Sequence, residues 1–125
     1  MIIRRELEPL LANVVEAGDM IFTAGCIADD ESLDVGGQTR QALGDLDRWL
    51  AMCGSDRSHV LQVVIWLSDI RFRDAMNAVW LEWVDPANLP ARACIEARMA
   101  TPGCLVEIMA IAVKPAAGGK QKAGS

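Results

Sequence analysis

The sequence predicts an α+β fold in which an antiparallel or mixed sheet carries two helices on one face. Two segments have apolar residues at three- and four-residue spacing, which is typical of amphipathic helices. Short runs rich in apolar residues lie before, between and after these segments, bounded by turn residues, as expected for strands. The predicted order is β-β-α-β-α-β-β, with a further strand at residues 2–6.

The first half of the chain predicts a hairpin followed by a helix. Residues 13–25 read as two short strands around the Gly18-Asp19 turn. A helix is predicted over residues 38–53, and Gly54 supplies the residue that ends it. The inward face of this helix is formed by Ala42, Leu46, Trp49, Leu50 and Cys53.

The second half predicts a buried strand, a second helix and a terminal hairpin. Residues 60–67 are almost uninterrupted in apolar character, which implies a strand buried on both faces. Ser68-Asp69 opens a helix that ends before Pro86. Its inward residues are Phe72, Met76, Val79, Trp80 and Trp83. Residues 92–98 and 104–113 are expected to pair with each other across the Thr-Pro-Gly turn.

Length and composition favour one domain at residues 1–115 and a flexible Ala/Gly/Lys-rich tail at 116–125. No apolar run reaches the roughly 18 residues of a membrane span, and the N-terminus has no apolar signal-peptide core. We therefore expect a cytoplasmic protein without a membrane partner. The net charge of −5 disfavours a nucleic-acid partner, since such binding depends on neutralising phosphates.

The cysteines and the histidine predict neither a metal site nor a bound cofactor. The four cysteines are widely spaced, and no C-x-x-C pair or nearby histidine accompanies them. They are expected to be reduced and mostly buried. The only histidine, His59, precedes an apolar strand, so we do not assign it to a catalytic triad.

Two predicted strands, 60–67 and 104–113, are apolar on both faces, whereas two helices can cover only one face of a sheet. A second copy of the chain is the simplest cover for the other face. The sequence therefore predicts a homo-oligomer with Glu107 near its interface.

Arg92 and Glu107 are isolated charges within small-residue and apolar strand segments. An isolated charge there costs free energy unless it is paired or binds a ligand. Either the two pair as a structural ion pair, with Glu96 as another partner for Arg92, or they bind a charged ligand. The strand register decides whether both project the same way, and a neighbouring subunit could supply one of them.

Four segments together resemble the RidA (YjgF, endoribonuclease L-PSP) family over about residues 15–114: 38–43 (QTRQAL), 69–77, 90–92 (PAR) and 106–108 (VEI). The resemblance implies a chorismate-mutase-like α+β fold and a homotrimer with active sites in the clefts between subunits. It also implies hydrolysis, without a cofactor, of reactive 2-imino or enamino acids to 2-oxo acids and ammonia.

The resemblance also implies roles for individual residues. Arg92 matches the arginine that binds the substrate carboxylate, and Glu107 matches the carboxylate that holds the attacking water. Cys94 lies where a backbone amide meets the substrate carboxylate. Asn77 matches an asparagine of the cleft, and Gly25 a glycine that lines the pocket.

One segment departs from the family pattern. Family members of the deaminase type carry a tyrosine before the first hairpin, whereas residues 9–13 here read PLLAN, and the chain contains no tyrosine. Leu11 falls where the tyrosine would lie. We therefore expect a less polar pocket and a different or bulkier imine, as in a catabolic pathway such as aminomuconate breakdown.

Two rival functions remain. One is a trimer that binds 2-oxo acids without turnover. The other is the ribonuclease or translation-inhibitor activity behind one family name, which the acidic composition and the lack of a His or Lys pair for phosphodiester cleavage disfavour.

Overall fold

A computed structural model describes residues 1–116 of the chain. The strands are β1 (Ile2–Leu7), β2 (Ala12–Ala17), β3 (Met20–Thr23), β4 (Val60–Leu67), β5 (Ala91–Glu96) and β6 (Val106–Val113), and the helices are α1 (Val35–Met52) and α2 (Arg73–Trp83). The strands form one sheet in the order β1-β2-β3-β6-β4-β5. This confirms the predicted α+β class, including the first strand. The predicted tail, 116–125, lies outside the described residues except for Ala116.

Both helices occur where the sequence places them, with shifted starts. Helix α1 begins at Val35 because the side chain of Asp34 accepts a hydrogen bond from the Gly37 amide (2.9 Å) and caps it. Gly54 ends it with a φ of +73°, as predicted. Asp69 caps a 3₁₀ turn over residues 70–72, and α2 follows from Arg73.

The predicted terminal hairpin is wrong. Strands β5 and β6 do not pair with each other, because β4 lies between them. Strand β5 pairs with β4 in parallel, while β6 pairs with β4 in antiparallel orientation. The Thr-Pro-Gly turn therefore belongs to a connection that passes the end of β4, where Ala97 N–H donates to Leu67 O (2.9 Å) and Ser68 N–H donates to Leu105 O (3.0 Å).

Gln38 at the start of α1 fixes this connection. Its side-chain amide is fully buried, donates to Gly103 O (2.9 Å) and accepts from the Leu105 N–H (2.9 Å). Because the nitrogen and the oxygen of this side-chain amide are both hydrogen-bonded, the amide satisfies backbone groups that would otherwise be buried without a partner. The return of the chain from β5 to β6 is thus anchored to the first turns of α1.

Both helices pack on one face of the sheet, which we call the helix face. The buried residues on this face and on α1 include Val14, Ile21, Val63, Ile65, Val106, Ile108, Leu43, Leu46 and Leu50. From α2, Met76, Val79, Trp80 and Trp83 join the same cluster, as their spacing predicts. Apolar burial of this extent is the main driving force for folding.

The opposite face, which we call the open face, carries no helix. Its residues follow from the strand register and are partly buried or exposed. They include Val15, Phe22, Val64, Trp66, Glu107, Met109 and Ile111, with Arg4 and Gln62 as exposed polar members. This face is largely apolar, as the pattern of β4 and β6 predicts. None of the helices within residues 1–116 is long and apolar enough to cross a membrane.

The cysteines are unpaired thiols, as expected. Cys26, Cys53 and Cys104 are buried, and Cys94 is half-buried. Burial raises the pKa of Cys26 to about 12 and that of Cys53 to about 11, so neither is a thiolate at neutral pH.

A buried carboxylate joins the first strands to the end of the last. Glu16 of β2 lies on the helix face with 2% of its surface exposed. Its carboxylate accepts from Lys114 Nζ (2.6 Å) and from Arg5 Nε on β1. The hydrogen bonds from Lys114 and Arg5 lower the pKa of Glu16 to about 2, against the opposing effect of burial.

We expect Glu16→Gln to destabilise the protein by about 3 kcal/mol at pH 7, because it removes a buried carboxylate held between two cations. The folded pKa of Glu16 lies below its ordinary value, so its contribution is present at neutral pH and is lost as the pH falls towards 2. Urea unfolding at pH 7 and pH 3, at one protein concentration, measures both the effect and its decline.

Glu82→Gln is the matched control, since Glu82 is exposed and its partner Arg40 is 3.7 Å away. An exposed pair of this kind contributes about 0–1 kcal/mol. A Glu16→Gln effect no larger than the control, or equally large at pH 3, would contradict this account.

Candidate functional site

The strand register separates Arg92 from Glu107 within one chain. Arg92 of β5 is the Cα partner of Val63 in β4, which is buried beneath the helices. Glu107 of β6 is the partner of Trp66, which lies at an odd step from Val63 along β4. Because side chains alternate along a strand, Arg92 projects on the helix face and Glu107 on the open face. The site residues therefore form two separate groups.

The first group surrounds Arg92 with residues of α2. Arg92 Nη1 donates to Asn77 Oδ1 (2.8 Å), and the guanidinium carbon lies 5.2 Å from the centre of the Trp80 ring system. Asn77 and Trp80 lie three residues apart, which puts them on the same side of the helix. A cation over an indole face is attracted by the ring quadrupole. Asn77 and Trp80 thus fix the orientation of the guanidinium.

The other edge of the Arg92 guanidinium, formed by Nε and Nη2, has no protein partner among residues 1–116. Arg71 shows what such an edge binds, since its Nε and Nη2 hold the Asp69 carboxylate at 3.0 and 2.6 Å. This side-on arrangement gives two parallel, charge-assisted hydrogen bonds. Arg92 therefore offers a carboxylate-binding edge that is already oriented.

The backbone amide of Cys94 lies at the unpaired edge of β5. Strand β5 is the last strand of the sheet, and Ala97 N–H points inward to Leu67 O (2.9 Å). Amide directions alternate along a strand, so the Cys94 N–H points away from β4, towards the unpaired edge. The Cys94 side chain is half-buried against the core. The predicted role for Cys94 through its amide is compatible with this geometry.

A surface cavity of about 280 Å³ adjoins the guanidinium. It is lined by Asn77, Trp80, Leu81 and Arg92. Its volume is slightly below the roughly 300–1,000 Å³ of pockets for drug-sized ligands, which suits a small organic acid.

The second group consists of Glu107 and Gly25. A Cβ atom on Gly25 would lie 1.9 Å from Glu107 Oε2, so the carboxylate packs directly on the glycine backbone. Cys26 forms a bridge with Ile108, with hydrogen bonds of 2.7 and 3.0 Å, and this bridge fixes Gly25 beside Glu107. Only glycine at position 25 leaves the observed space for the carboxylate.

Glu107 is partly buried and makes no hydrogen bond or ion pair within the part of the chain that is described. A carboxylate whose lone pairs accept no hydrogen bond from the protein can accept one from a water molecule and so orient it.

Within one chain, Arg92 does not form the structural ion pairs considered for it. Glu96 forms no ion pair with Arg92 among the described residues, and its Oε1 accepts instead from the Ile70 amide (2.8 Å). No acid within residues 1–116 forms a salt bridge with Arg92. The described residues also contain no group of three or more His, Cys, Asp or Glu side chains arranged to hold a metal ion.

Leu11 stands apart from both groups. It precedes β2, is 45% exposed and accepts from the Glu8 amide through its carbonyl (2.8 Å). It lines neither the cavity at Arg92 nor a second cavity of about 320 Å³ that contains Gly25 and Asn13.

Trp80 is a site residue whose spacing along the chain predicted only a place in the core. Trp80 lies three residues after Asn77, on the same side of α2. This spacing is the only sequence signal that could have linked Trp80 to the Arg92 site.

Comparisons with known proteins point to a single family. The family model described as Endoribonuclease L-PSP matches residues 7–114. A RutC family protein from Haemophilus ducreyi is 38% identical over 109 residues, which cover 87% of this chain and 93% of that protein. The RutC family protein YoaB from Escherichia coli K12 is 30% identical over 111 residues, covering 89% and 96%.

Comparisons with solved structures point to the same family. A member of the YjgF family from Neisseria meningitidis is similar with a TM-score of 0.91 and 42% identity, covering 94% of this chain and 98% of that one. A Pseudomonas aeruginosa protein is similar with a TM-score of 0.89 and 36% identity, covering 91% and 99%. The predicted resemblance is thereby confirmed, and the chain belongs to the RidA/YjgF (endoribonuclease L-PSP) family.

Proposed function

We propose that the protein hydrolyses reactive 2-imino or enamino acids to 2-oxo acids and ammonia without a cofactor. The observation that carries the proposal is the Nε/Nη2 edge of Arg92, which is oriented by Asn77 and Trp80 and bonded to no acid within residues 1–116. A 2-imino acid carries its carboxylate next to the electrophilic carbon. Binding the carboxylate at this edge therefore fixes the position of the reacting carbon.

The proposed reaction needs one water molecule and one base. Glu107 accepts a proton from water as the water oxygen bonds to the imine carbon, and the π electrons of the C=N bond move to nitrogen. Glu107 passes this proton to nitrogen, which gives a carbinolamine with one hydroxyl and one amino group. The hydroxyl proton is then transferred through Glu107 to the amino nitrogen, the C–N bond breaks, and ammonia leaves as the C=O bond forms. The products are the 2-oxo acid and ammonia, and Glu107 ends ionised as it began.

Arg92 and Glu107 lie on opposite faces of one chain, so we propose that the complete site forms between two copies. The open face is the surface available for this contact, because it is largely apolar and carries no helix. A neighbouring copy seated on it would bury the apolar residues around Glu107 and could bring its own Arg92 to that carboxylate. A closed ring, the predicted trimer, gives every copy the same contact.

Binding of a 2-oxo acid without turnover is the second candidate. It requires the Arg92 edge but not Glu107. A ribonuclease activity has less support, because the net charge is −5 and the only histidine, His59, pairs with Asp56 (2.9 Å).

The first test compares Arg92→Ala and Glu107→Gln with wild type in hydrolysis of 2-iminopropanoate formed in situ by an amino-acid oxidase. We expect Glu107→Gln to lower kcat roughly 10²- to 10³-fold with pyruvate still bound, because only the proton acceptor is lost. Arg92→Ala should abolish pyruvate binding as well as hydrolysis, because the carboxylate loses both hydrogen bonds.

Arg71→Ala and Glu82→Gln are the controls, since both side chains are exposed and lie outside the two site groups. They should retain wild-type rates. Wild-type binding of pyruvate with no acceleration of hydrolysis would select the binding function, and equal rates in wild type and Arg92→Ala would reject the catalytic proposal.

Gly25→Ala tests the position of Glu107 without removing it. The new methyl group would displace the carboxylate, so we expect kcat to fall nearly as far as in Glu107→Gln, with melting temperature changed by only a few degrees. Gly44→Ala on α1 is the control, because nothing lies within 4 Å of its added Cβ. A Gly25→Ala protein with wild-type kcat would show that the Glu107 position is unimportant.

A mixing experiment tests whether the site is shared between copies. Arg92→Ala and Glu107→Gln chains, each inactive alone, are unfolded together and refolded. If one copy supplies the arginine and its neighbour the glutamate, about a quarter of the junctions regain both residues, and activity returns to about that fraction. Mixed oligomers confirmed by mass but lacking activity would place both residues of each site in one chain.

A further inference from the structure

The cavity beside Arg92 has an apolar wall that binding a carboxylate does not use. Trp80 and Leu81 form this wall, and they lie three and four residues after Asn77 on the same side of α2. The two polar residues that line the cavity, Asn77 and Arg92, are bonded to each other through Oδ1 and Nη1 (2.8 Å), which leaves the Nε/Nη2 edge of Arg92 for the carboxylate. No acidic side chain lines the cavity within the described chain.

Leu81 is the unusual member of this wall. It is 74% exposed, which leaves most of a large aliphatic side chain in water. Single exposed leucines are common and need no explanation by themselves. Leu81, however, lines the same cavity of about 280 Å³ as the oriented guanidinium and the indole of Trp80. A ligand held at Arg92 would have its substituent beside Leu81.

We propose that Trp80 and Leu81 form an apolar subsite for the side chain of the bound acid. The preferred substrates would then be imines of 2-oxo acids with branched aliphatic or aromatic side chains, rather than those with a single methyl group. This inference rests on the proposed function, because it requires a carboxylate at Arg92. Apart from Arg92, which the substrate carboxylate occupies, no charged residue within the described chain lines the cavity, so an acidic or basic side chain would lose hydration there without gaining a partner.

The test measures the dissociation constants of pyruvate and 4-methyl-2-oxopentanoate by calorimetry. Each buried methylene strengthens binding roughly fourfold, so partial burial of the larger side chain should favour 4-methyl-2-oxopentanoate about tenfold in wild type. In Leu81→Ala we expect this ratio to fall to about threefold or less, mainly through weaker binding of the larger acid. Hydrolysis of the two corresponding imines should show the same change in the ratio of kcat/KM.

Leu89→Ala is the matched control, because Leu89 is also a strongly exposed leucine but does not line the cavity. It should keep the wild-type ratio. Equal affinities for the two acids in wild type, or a ratio unchanged in Leu81→Ala, would overturn the subsite. A lower oligomer mass for Leu81→Ala in light scattering would also overturn it, by assigning Leu81 to a contact between copies.

Failure of the proposed function gives a different result. In that case wild type does not accelerate imine hydrolysis, or Arg92→Ala binds both acids as tightly as wild type. If wild type hydrolyses imines but binds pyruvate and 4-methyl-2-oxopentanoate equally tightly, only the subsite is contradicted.

Discussion

The position of β4 between β5 and β6 is the constraint on which the candidate site depends. Parallel pairing with β5 aligns Arg92 with Val63, and antiparallel pairing with β6 aligns Glu107 with Trp66. Since side chains alternate strictly along β4, these two alignments put the guanidinium and the carboxylate on opposite faces. A slip of one residue in either pairing would bring them to one face, but it would also expose a buried strand face to water.

The same arrangement links assembly to chemistry. The open face around Glu107 is largely apolar, and leaving such a face in water is unfavourable for a protein that exists as a single copy. A neighbour that covers it would stabilise the fold and, in the proposed arrangement, complete the site. An isolated chain would then lack the second half of the site, however well it folded.

The sequence predicted the elements better than their arrangement. The hairpin of β2 and β3, the inward residues of both helices and the apolar character of the open face follow from periodicity and turn chemistry, which are local properties. The pairing of β5 with β4 does not, because a short connection with a turn signal favours a hairpin unless tertiary contacts prevent one. Here β4 lies between the two strands, and Gln38, which is distant in the chain, holds the connection between them. The burial of Glu16 was likewise not predictable from local sequence, since its carboxylate pairs with Lys114 from the other end of the described chain.

The sequence was enough to identify the candidate site residues, but it did not predict which groups Arg92 contacts. Arg92 is held by a neutral amide and an aromatic face, and this choice of partners has a chemical consequence. An acid at the position of Asn77 would orient the guanidinium equally well but would neutralise the charge that a ligand needs. Asn77 accepts one hydrogen bond without cancelling that charge, and Trp80 attracts the cation while occupying none of its donors. The guanidinium is therefore oriented while its charge and its Nε/Nη2 edge stay available, as binding a small carboxylate requires.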